Sequence, residues 1–202
     1  MKRFGIYSSN CISSDKTAVF GNVRISVITD RILRVERSDD GVFEDRPTQT
    51  VLDRNFTKTK FTIDKKDDKV LVLTGSKVFS VNTSTLEVRV KRGEKWVRER
   101  DGRNLKGTAR TLDFSWGKWQ LPSIRVDMGK GLFSTVGVVE FDDSQSFILL
   151  EDGSVEMRKD GVVDKYVFAF DDDYLGGLKE FYSLTGATPV LPKYALGNWW
   201  SR

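Results

Sequence analysis

Apolar and polar side chains alternate along most of this 202-residue chain, and this pattern constrains the fold more than any other feature. Successive side chains of a β-strand point to opposite faces, so each alternating run predicts a strand with one apolar face. Turn-forming residues such as Asp39 to Gly41 and Asp160 to Gly161 separate the runs, and no helical pattern comes between them. We therefore predict a mostly β protein, an antiparallel β-sandwich, with strands at residues 23–29, 32–37, 60–63, 70–73, 77–81, 86–91, 147–150, 155–158 and 162–170.

The alternation ends near residue 171, where apolar residues change to helical spacing. Three aspartates, Asp171 to Asp173, come just before them, where negative charge favours the positive end of a helix dipole. Gly186 and Pro189 are typical of a helix end. We predict a connector helix there and a further strand at residues 195–200, which divides the chain into a sandwich at 1–172 and a second unit at 173–202.

Composition argues against several functional classes. The net charge of +4 comes from 33 basic residues interleaved with 29 acidic ones, a pattern that does not favour a nucleic-acid surface. The chain has no histidine and a single cysteine, Cys11, so we expect no Ser-His-Asp site, no metal site and no disulfide. No nucleotide-binding motif occurs, so we expect no cofactor. No apolar run is long enough for a membrane span or a signal peptide, and we expect a soluble, cytoplasmic protein.

Paired carboxylates are the remaining catalytic option, because glycoside hydrolysis uses two carboxyl groups on either side of the scissile bond. Most acidic doublets here lie in turn sequences or before the helix, and we interpret them as solvated turns or helix caps. Asp142 and Asp143 differ, because they follow a strand that should be buried. Either they order their loop by accepting hydrogen bonds from backbone N–H groups, the interpretation that we prefer, or they face a neighbouring domain.

An irregular stretch at residues 103–119 has the residue types of a sugar-binding site. It contains Arg110 and Asp113, whose planar groups can hydrogen-bond hydroxyls, and Trp116 and Trp119, whose indole faces can stack on pyranose rings. The same stretch is also compatible with a long hairpin whose tryptophans are buried in the sandwich. The residue types alone leave both interpretations open.

The last residues form an aromatic, apolar run that ends at Trp199-Trp-Ser-Arg202. Such a run normally enters a core, yet no later element of this sequence would cover it. We therefore expect the chain to be the front part of a longer protein.

Several segments in order resemble the N-terminal region of family 31 glycoside hydrolases. They are Phe43-Glu-Asp-Arg-Pro-Thr-Gln-Thr-Val51, Asn104-Leu-Lys-Gly-Thr-Ala-Arg-Thr-Leu-Asp113, residues 131–144, and the helix followed by residues 189–202. The resemblance implies a galactose-mutarotase-like sandwich that leads into the first strand of a catalytic (β/α)8 barrel.

This resemblance also implies a parent enzyme that hydrolyses α-glucosides, α-xylosides or related sugars with retention of configuration. Members of the family carry an aspartate nucleophile and an aspartate acid/base on later barrel strands, and no segment here matches either motif. The resemblance therefore implies no catalytic residue in this chain, which should be inactive alone. Its partners would be the missing barrel and, through it, a carbohydrate substrate; the oligomeric state is not predicted.

Four residues become candidates for substrate contact. Arg110 and Asp113 lie in the segment that resembles the loop which, in this family, reaches over the barrel mouth. Barrel sites lie at the C-terminal ends of the strands, so a first barrel strand at residues 195–200 would bring Trp199 and Arg202 close to the sugar. Packing at the domain junction is the alternative role for Trp199.

Two other functions fit a sandwich of this type. A free-standing carbohydrate-binding module would use the tryptophans between Trp96 and Trp119 as its ligand surface. A sugar mutarotase would also suit the fold, but the usual histidine acid/base is missing.

Overall fold

The computed structural model describes residues 14–56, 59–106, 129–186 and 192–197, together with the backbone of 115–116 and 119–120. In chain order the strands are β1 (Thr17–Phe20), β2 (Val23–Val27), β3 (Ile32–Arg37), β4 (Phe61–Lys66), β5 (Lys69–Thr74), β6 (Val78–Asn82), β7 (Val88–Arg92), β8 (Lys95–Val97), β9 (Ser115–Trp116), β10 (Trp119–Gln120), β11 (Val138–Asp142), β12 (Ile148–Leu149), β13 (Val155–Glu156) and β14 (Val163–Ala169). The helix α1 spans Tyr174–Thr185, and short 3-10 helices occupy Ser14–Lys16, Glu99–Asp101 and Lys193–Leu196.

Two five-stranded antiparallel sheets form the framework. Sheet 1 has the order β1-β2-β3-β14-β11, so β14, late in the chain, pairs with β3 near its start. Sheet 2 is a simple meander, β4-β5-β6-β7-β8. Two small hairpins, β9 with β10 and β12 with β13, lie outside these sheets.

The main core lies between the two sheets. Every second residue of β2, β3, β5, β6 and β7 points into it, and valines fill much of the space. The larger side chains of this core include Ile25 from β2, Leu33 from β3 and Phe79 from β6, all fully buried. The alternation in the sequence thus matches the inward face of each sheet.

Sheet 1 is also covered on its other face, which gives the protein a third layer. Helix α1 packs Leu184 and Phe181 against Phe168, and Val51 from an extended segment joins the same cluster. The backbone N–H groups of Leu52 and Asp53 donate to the carbonyl oxygen of Leu184 and tie this segment to the helix end. Strands β2 and β3 are therefore buried on both faces.

The predicted sandwich and the connector helix are confirmed. The strands predicted at residues 60–63 and 70–73 form a hairpin and are longer than predicted, because β4 and β5 continue to a tight turn at Asp67 and Asp68, where Asp67 adopts a left-handed φ of 54°. The strand predicted at residues 195–200 is wrong for Ala195 and Leu196, which lie in a 3-10 helix, while residues 198–200 lie outside the described part. Among the described helices, none has the length and hydropathy that a membrane crossing requires.

Candidate functional site

The four residues predicted to contact substrate lie outside the described residues. Arg110 and Asp113 belong to residues 107–114, and Trp199 and Arg202 belong to residues 198–202. Their roles remain predictions. The structure does describe the base from which the first segment leaves the sandwich and the helix that leads towards the second.

The base of the 107–128 segment is held by Asn104 and Gly131. The Asn104 Nδ2 donates to the carbonyl oxygen of Gly131 at 2.9 Å, and the Gly131 N–H donates to Asn104 Oδ1 at 2.7 Å. A Cβ atom at position 131 would lie 2.4 Å from the carbonyl oxygen of Leu105, so only glycine fits this approach. The two ends of the segment are therefore fixed next to each other.

This base packs directly on the start of α1. The Phe133 ring meets Phe170 edge-on at 5.0 Å and Tyr174 at 5.5 Å between ring centroids. Gly177 lets these rings approach the helix, because a Cβ there would already lie 3.1 Å from Phe170 and 3.2 Å from Phe133. The base of the segment and the first turn of the helix therefore form one packed unit.

The three aspartates before the helix are each paired with a different cation. Asp171 contacts Lys77, which comes just before β6, Asp172 accepts from Arg92 at 2.6 Å, and Asp173 pairs with Arg31 at 2.8 Å. Asp173 also caps the helix by accepting from the Gly176 N–H, and the hydrogen bond from Arg31 lowers its pKa. The interpretation of these residues as a helix cap is confirmed for Asp173.

Arg31 makes a second contact that fixes the helix direction. Its Nε donates to Glu180 in the middle of α1 at 2.6 Å, while its Nη1 holds Asp173 at the helix start. The helix is thus clamped to sheet 1 at two points about two turns apart.

The turn at the end of β11 confirms the preferred interpretation for Asp142, whereas Asp143 is held by side chains. Asp142 accepts a hydrogen bond from the Ser144 N–H and so shapes the turn. Asp143 is fully buried, accepts from Thr48 Oγ1 at 2.9 Å and pairs with Arg158 at 3.1 Å. Burial and the nearby charge of Asp164 raise the pKa of Asp143.

Asp143 belongs to a buried charge cluster on the covered face of sheet 1. Arg34 binds Asp164 with two hydrogen bonds of 2.8 and 2.7 Å, and Arg158 joins Asp164 to Asp143. Burial raises the pKa of Asp164, but the Arg34 and Arg158 guanidinium groups outweigh that effect and hold the pKa at about 2. These carboxylates are buried and paired with arginines that stabilise the fold, so a sugar cannot reach them.

The cluster continues towards β2 through Arg24. Its guanidinium binds Glu36 at 2.7 and 2.9 Å and Asp45 at 2.6 Å. Burial raises the pKa of Glu36 against the opposing effect of Arg34. The sequence did not predict this cluster. Its only local signal is that Arg24, Arg34, Glu36 and Asp164 alternate with apolar core residues of β2, β3 and β14, and their pairing follows only from the folded arrangement.

Within the described residues, no group of three or more His, Cys, Asp or Glu side chains is arranged to hold a metal ion. The carboxylates described above are instead engaged with guanidinium groups, Lys77 or backbone N–H groups. None of them forms an accessible pair.

Comparison with models of protein families shows to which family this chain belongs. A model described as the glycosyl hydrolase 31 N-terminal galactose mutarotase-like domain matches residues 22–160. The chain belongs to this family. The match covers sheet 2, strands β2, β3 and β11 of sheet 1, the hairpin of β12 and β13, and the base at Asn104 and Gly131, and it ends just before β14.

Comparison with solved structures shows the same fold within a larger enzyme, the first of the two described next. The family 31 dextranase of Flavobacterium johnsoniae, in complex with glucose, has a TM-score of 0.50 at 17% identity, covering 93% of this chain and 29% of its own. A family 31 α-xylosidase from a soil metagenome, in complex with xylose, has a TM-score of 0.45 at 14% identity, covering 90% of this chain and 35% of its own. This family 31 domain therefore spans about a third of the length of these enzymes. No curated protein matches the chain.

Proposed function

We propose that this chain is the non-catalytic N-terminal domain of a retaining α-glycosidase that hydrolyses α-glucosides, α-xylosides or related sugars. The observation that carries the proposal is the family match over residues 22–160, because that family is described as the N-terminal domain of glycosyl hydrolase 31. The likeness to less than a third of the Flavobacterium johnsoniae dextranase also supports it, since a domain of this fold there belongs to a longer enzyme. A catalytic (β/α)8 barrel would follow the helix in the same polypeptide.

The domain's proposed role is to help shape the sugar pocket of that barrel. Asn104 and Gly131 fix the base of the segment that carries Arg110 and Asp113, so its tip can be presented in a reproducible direction. The clamp of Arg31 on α1 gives the chain beyond Gly186 a fixed starting point, and Trp199 and Arg202 belong to that part. We assign these four residues to substrate contact.

Chemistry itself is assigned to the barrel. Retaining hydrolysis requires two carboxyl groups about 5 to 5.5 Å apart, one as nucleophile and one as acid and base. The carboxylates of the clusters described above are held by cations, and those of Asp143 and Asp164 are buried. The domain therefore contributes no residue to the reacting pair in this proposal.

The substrate-contact role is tested in the longer enzyme with Arg110→Ala and Asp113→Ala. We expect each variant to lower kcat/KM on nitrophenyl α-glucoside or α-xyloside about tenfold, since one hydrogen bond to a charged group is lost. Arg46→Ala is the matched control, because Arg46 is an exposed arginine paired with Glu44 and Glu156. If both loop variants behave like the control, the pocket-shaping role is wrong.

Retention of configuration is tested separately, by proton NMR of the first sugar anomer that the longer enzyme releases.

A free-standing carbohydrate-binding module is the alternative function. The two differ in what the coding sequence contains after Arg202: an open frame encoding a barrel with two separated aspartate motifs supports the proposal, and a natural stop codon supports the module.

Cytoplasmic location remains a proposal that rests on the single cysteine.

A further inference from the structure

The outer face of sheet 2 bears a groove of about 820 Å³. Strands β5 to β8 form its floor with side chains that alternate with the buried valines of the core, so they point away from the sandwich. The 3-10 helix at Glu99–Asp101 lines one side. Residues of the floor are Leu71, Ser80, Asn82, Arg89 and Trp96.

Positive charge dominates this groove. The described residues that line it include five cationic side chains, among them Lys69, and three carboxylates. Glu87 alone is shared by three guanidinium groups: Arg89 donates to one carboxylate oxygen at 2.7 Å, while Arg98 and Arg100 contact the other. Arg98 also pairs with Asp101 at 2.7 Å, so Glu87 and Asp101 together face three cations, and the side chains of Arg89 and Arg100 are 51% and 67% exposed. Both retain N–H donors that face solvent.

An exposed indole lies within the same groove. Trp96 on β8 is 41% exposed and stands opposite Lys91 on the neighbouring strand. A tryptophan left this open on a sheet face offers a flat apolar surface beside polar groups, an arrangement that suits the C–H face of a pyranose ring. On the floor, the Ser80 hydroxyl and the Asn82 side-chain NH2 group can hydrogen-bond sugar hydroxyls, while Asn82 Oδ1 accepts from Thr85.

We propose that this groove binds an anionic oligosaccharide, with the Trp96 indole stacked on a sugar ring and Arg89 and Arg100 paired with the ligand's carboxylates. The choice of a glycan rests on the indole and on membership of a glycoside hydrolase family. The site lies in the domain itself and does not depend on the proposed role beside a barrel.

The carboxylates of the groove favour an acidic glycan over a nucleic acid. Glu99 and Glu140 line the groove together with Glu87, and they pair with Lys130 and Lys165 at 2.7 Å each, so the cations left for a ligand are separated and do not form the continuous positive strip that suits a phosphate backbone. An oligouronide carries one charge per ring with hydroxyl groups between, so its carboxylates can meet the arginines while its hydroxyls donate to the glutamates.

Calorimetric titration of the 202-residue chain with tetragalacturonate tests this site, with maltotetraose, isomaltotetraose and a single-stranded oligonucleotide as comparison ligands. We expect binding of tetragalacturonate that weakens as salt is raised, and affinity for the neutral sugars at least about tenfold lower. Trp96→Ala should weaken binding about tenfold, and Arg100→Gln several-fold. The same titrations on the longer enzyme should give the same order.

Two control variants make the same chemical changes elsewhere. Tyr182→Ala removes another exposed aromatic ring, and Lys159→Gln removes another exposed cation that pairs with a carboxylate, Asp40. Both should bind like the unmodified chain. The proposal is overturned by equal affinity for charged and neutral sugars, by no binding at millimolar tetragalacturonate, by tighter binding of the oligonucleotide, or by Trp96→Ala binding unchanged. None of these results bears on glycoside hydrolysis by the longer enzyme, so the two proposals fail separately.

Discussion

Arg34 is the residue on which the buried charge cluster depends. It is fully buried, pairs with both Asp164 and Glu36, and lies on the covered face of sheet 1. Removing one partner of a buried ion pair leaves the other charge desolvated without compensation. The loss of stability is therefore expected when one partner of a pair is removed, and not when both partners are replaced by apolar residues.

Arg34→Met should lower the free energy of unfolding by about 3 to 5 kcal/mol, since Asp164 loses its two hydrogen bonds from Arg34. Urea denaturation followed by tryptophan fluorescence measures it. The double variant Arg34→Met/Asp164→Leu should recover most of the loss, because it replaces the pair with apolar groups. Arg46→Ala, at an exposed pair, should stay within about 1 kcal/mol. Equal losses for Arg34→Met and Arg46→Ala would contradict this account.

The pKa of Asp164 predicts a pH effect of defined sign. Its folded pKa of about 2 lies below the ordinary value of 3.8, so the ionised form stabilises the fold above pH 3.8 and the effect disappears as pH falls towards 2. The size is about 2 kcal/mol. Urea midpoints measured between pH 2 and 5 should rise with pH for the unmodified chain. Asp164→Asn should flatten that rise, and an unchanged slope would mean that Asp164 is not held ionised by Arg34.

Ionisation of Asp143 should lower the free energy of unfolding, whereas ionisation of Asp164 raises it. Burial and Asp164 raise its pKa above 3.8, so ionisation of Asp143 costs stability as pH rises through the raised value. Asp143→Asn keeps an oxygen that can accept from Thr48 and removes that cost. We expect the stability of this variant, relative to the unmodified chain, to improve as pH rises above about 4. A relative stability that falls over the same range would contradict the raised pKa.

Among the secondary-structure elements, helix α1 has one buried and one exposed leucine, and mutating each to alanine tests how the helix packs. Leu184 is fully buried against sheet 1, while Leu175 is 81% exposed on the same helix. Leu184→Ala should cost about 2 to 5 kcal/mol in urea denaturation of the 202-residue chain, and Leu175→Ala less than about 0.5 kcal/mol. Similar costs for the two would show that the helix does not pack on the sandwich as described.

A second prediction concerns the base of the 107–128 segment, where Gly131 lies against the Leu105 carbonyl oxygen. Gly131→Ala places a methyl group against the Leu105 carbonyl oxygen and should cost about 1 to 3 kcal/mol. Gly75→Ala is the control, because a Cβ there meets nothing within 4 Å. Hydrogen exchange should also speed up at the Leu105 amide, which donates to the carbonyl oxygen of Phe133 at 2.7 Å. Unchanged exchange with unchanged stability would mean that this contact does not hold the base.

At the scale of the whole molecule, alternation predicted most of the strands, though not β1, and it did not predict the third layer. Arg24 and Arg34 occupy polar positions of alternating strands, which on their own are compatible with a face open to water. The structure buries them because α1 and the segments around Asp45 and Arg158 fold over that face. Asp164, the partner of Arg34, is 130 residues away, so no local pattern could reveal the pair.

The predicted site depended on family resemblance rather than on local chemistry. The segment from Asn104 was recognised, but the bond between Asn104 and Gly131 joins residues 27 apart and follows only from the folded arrangement. The error at Ala195 and Leu196 has a different cause: a short apolar run can be a strand or a helical turn, and its pattern does not distinguish them.

The central proposal is that this domain contributes no residue to the catalytic pair and that a barrel encoded with it supplies that pair. Hydrolysis of nitrophenyl α-glucoside and α-xyloside by the purified 202-residue chain, compared with the longer protein from the same gene, tests it most directly. We predict no hydrolysis above the buffer rate by the 202-residue chain, and turnover with retention by the longer protein. Hydrolysis by the 202-residue chain, or none by the longer protein, would contradict the account.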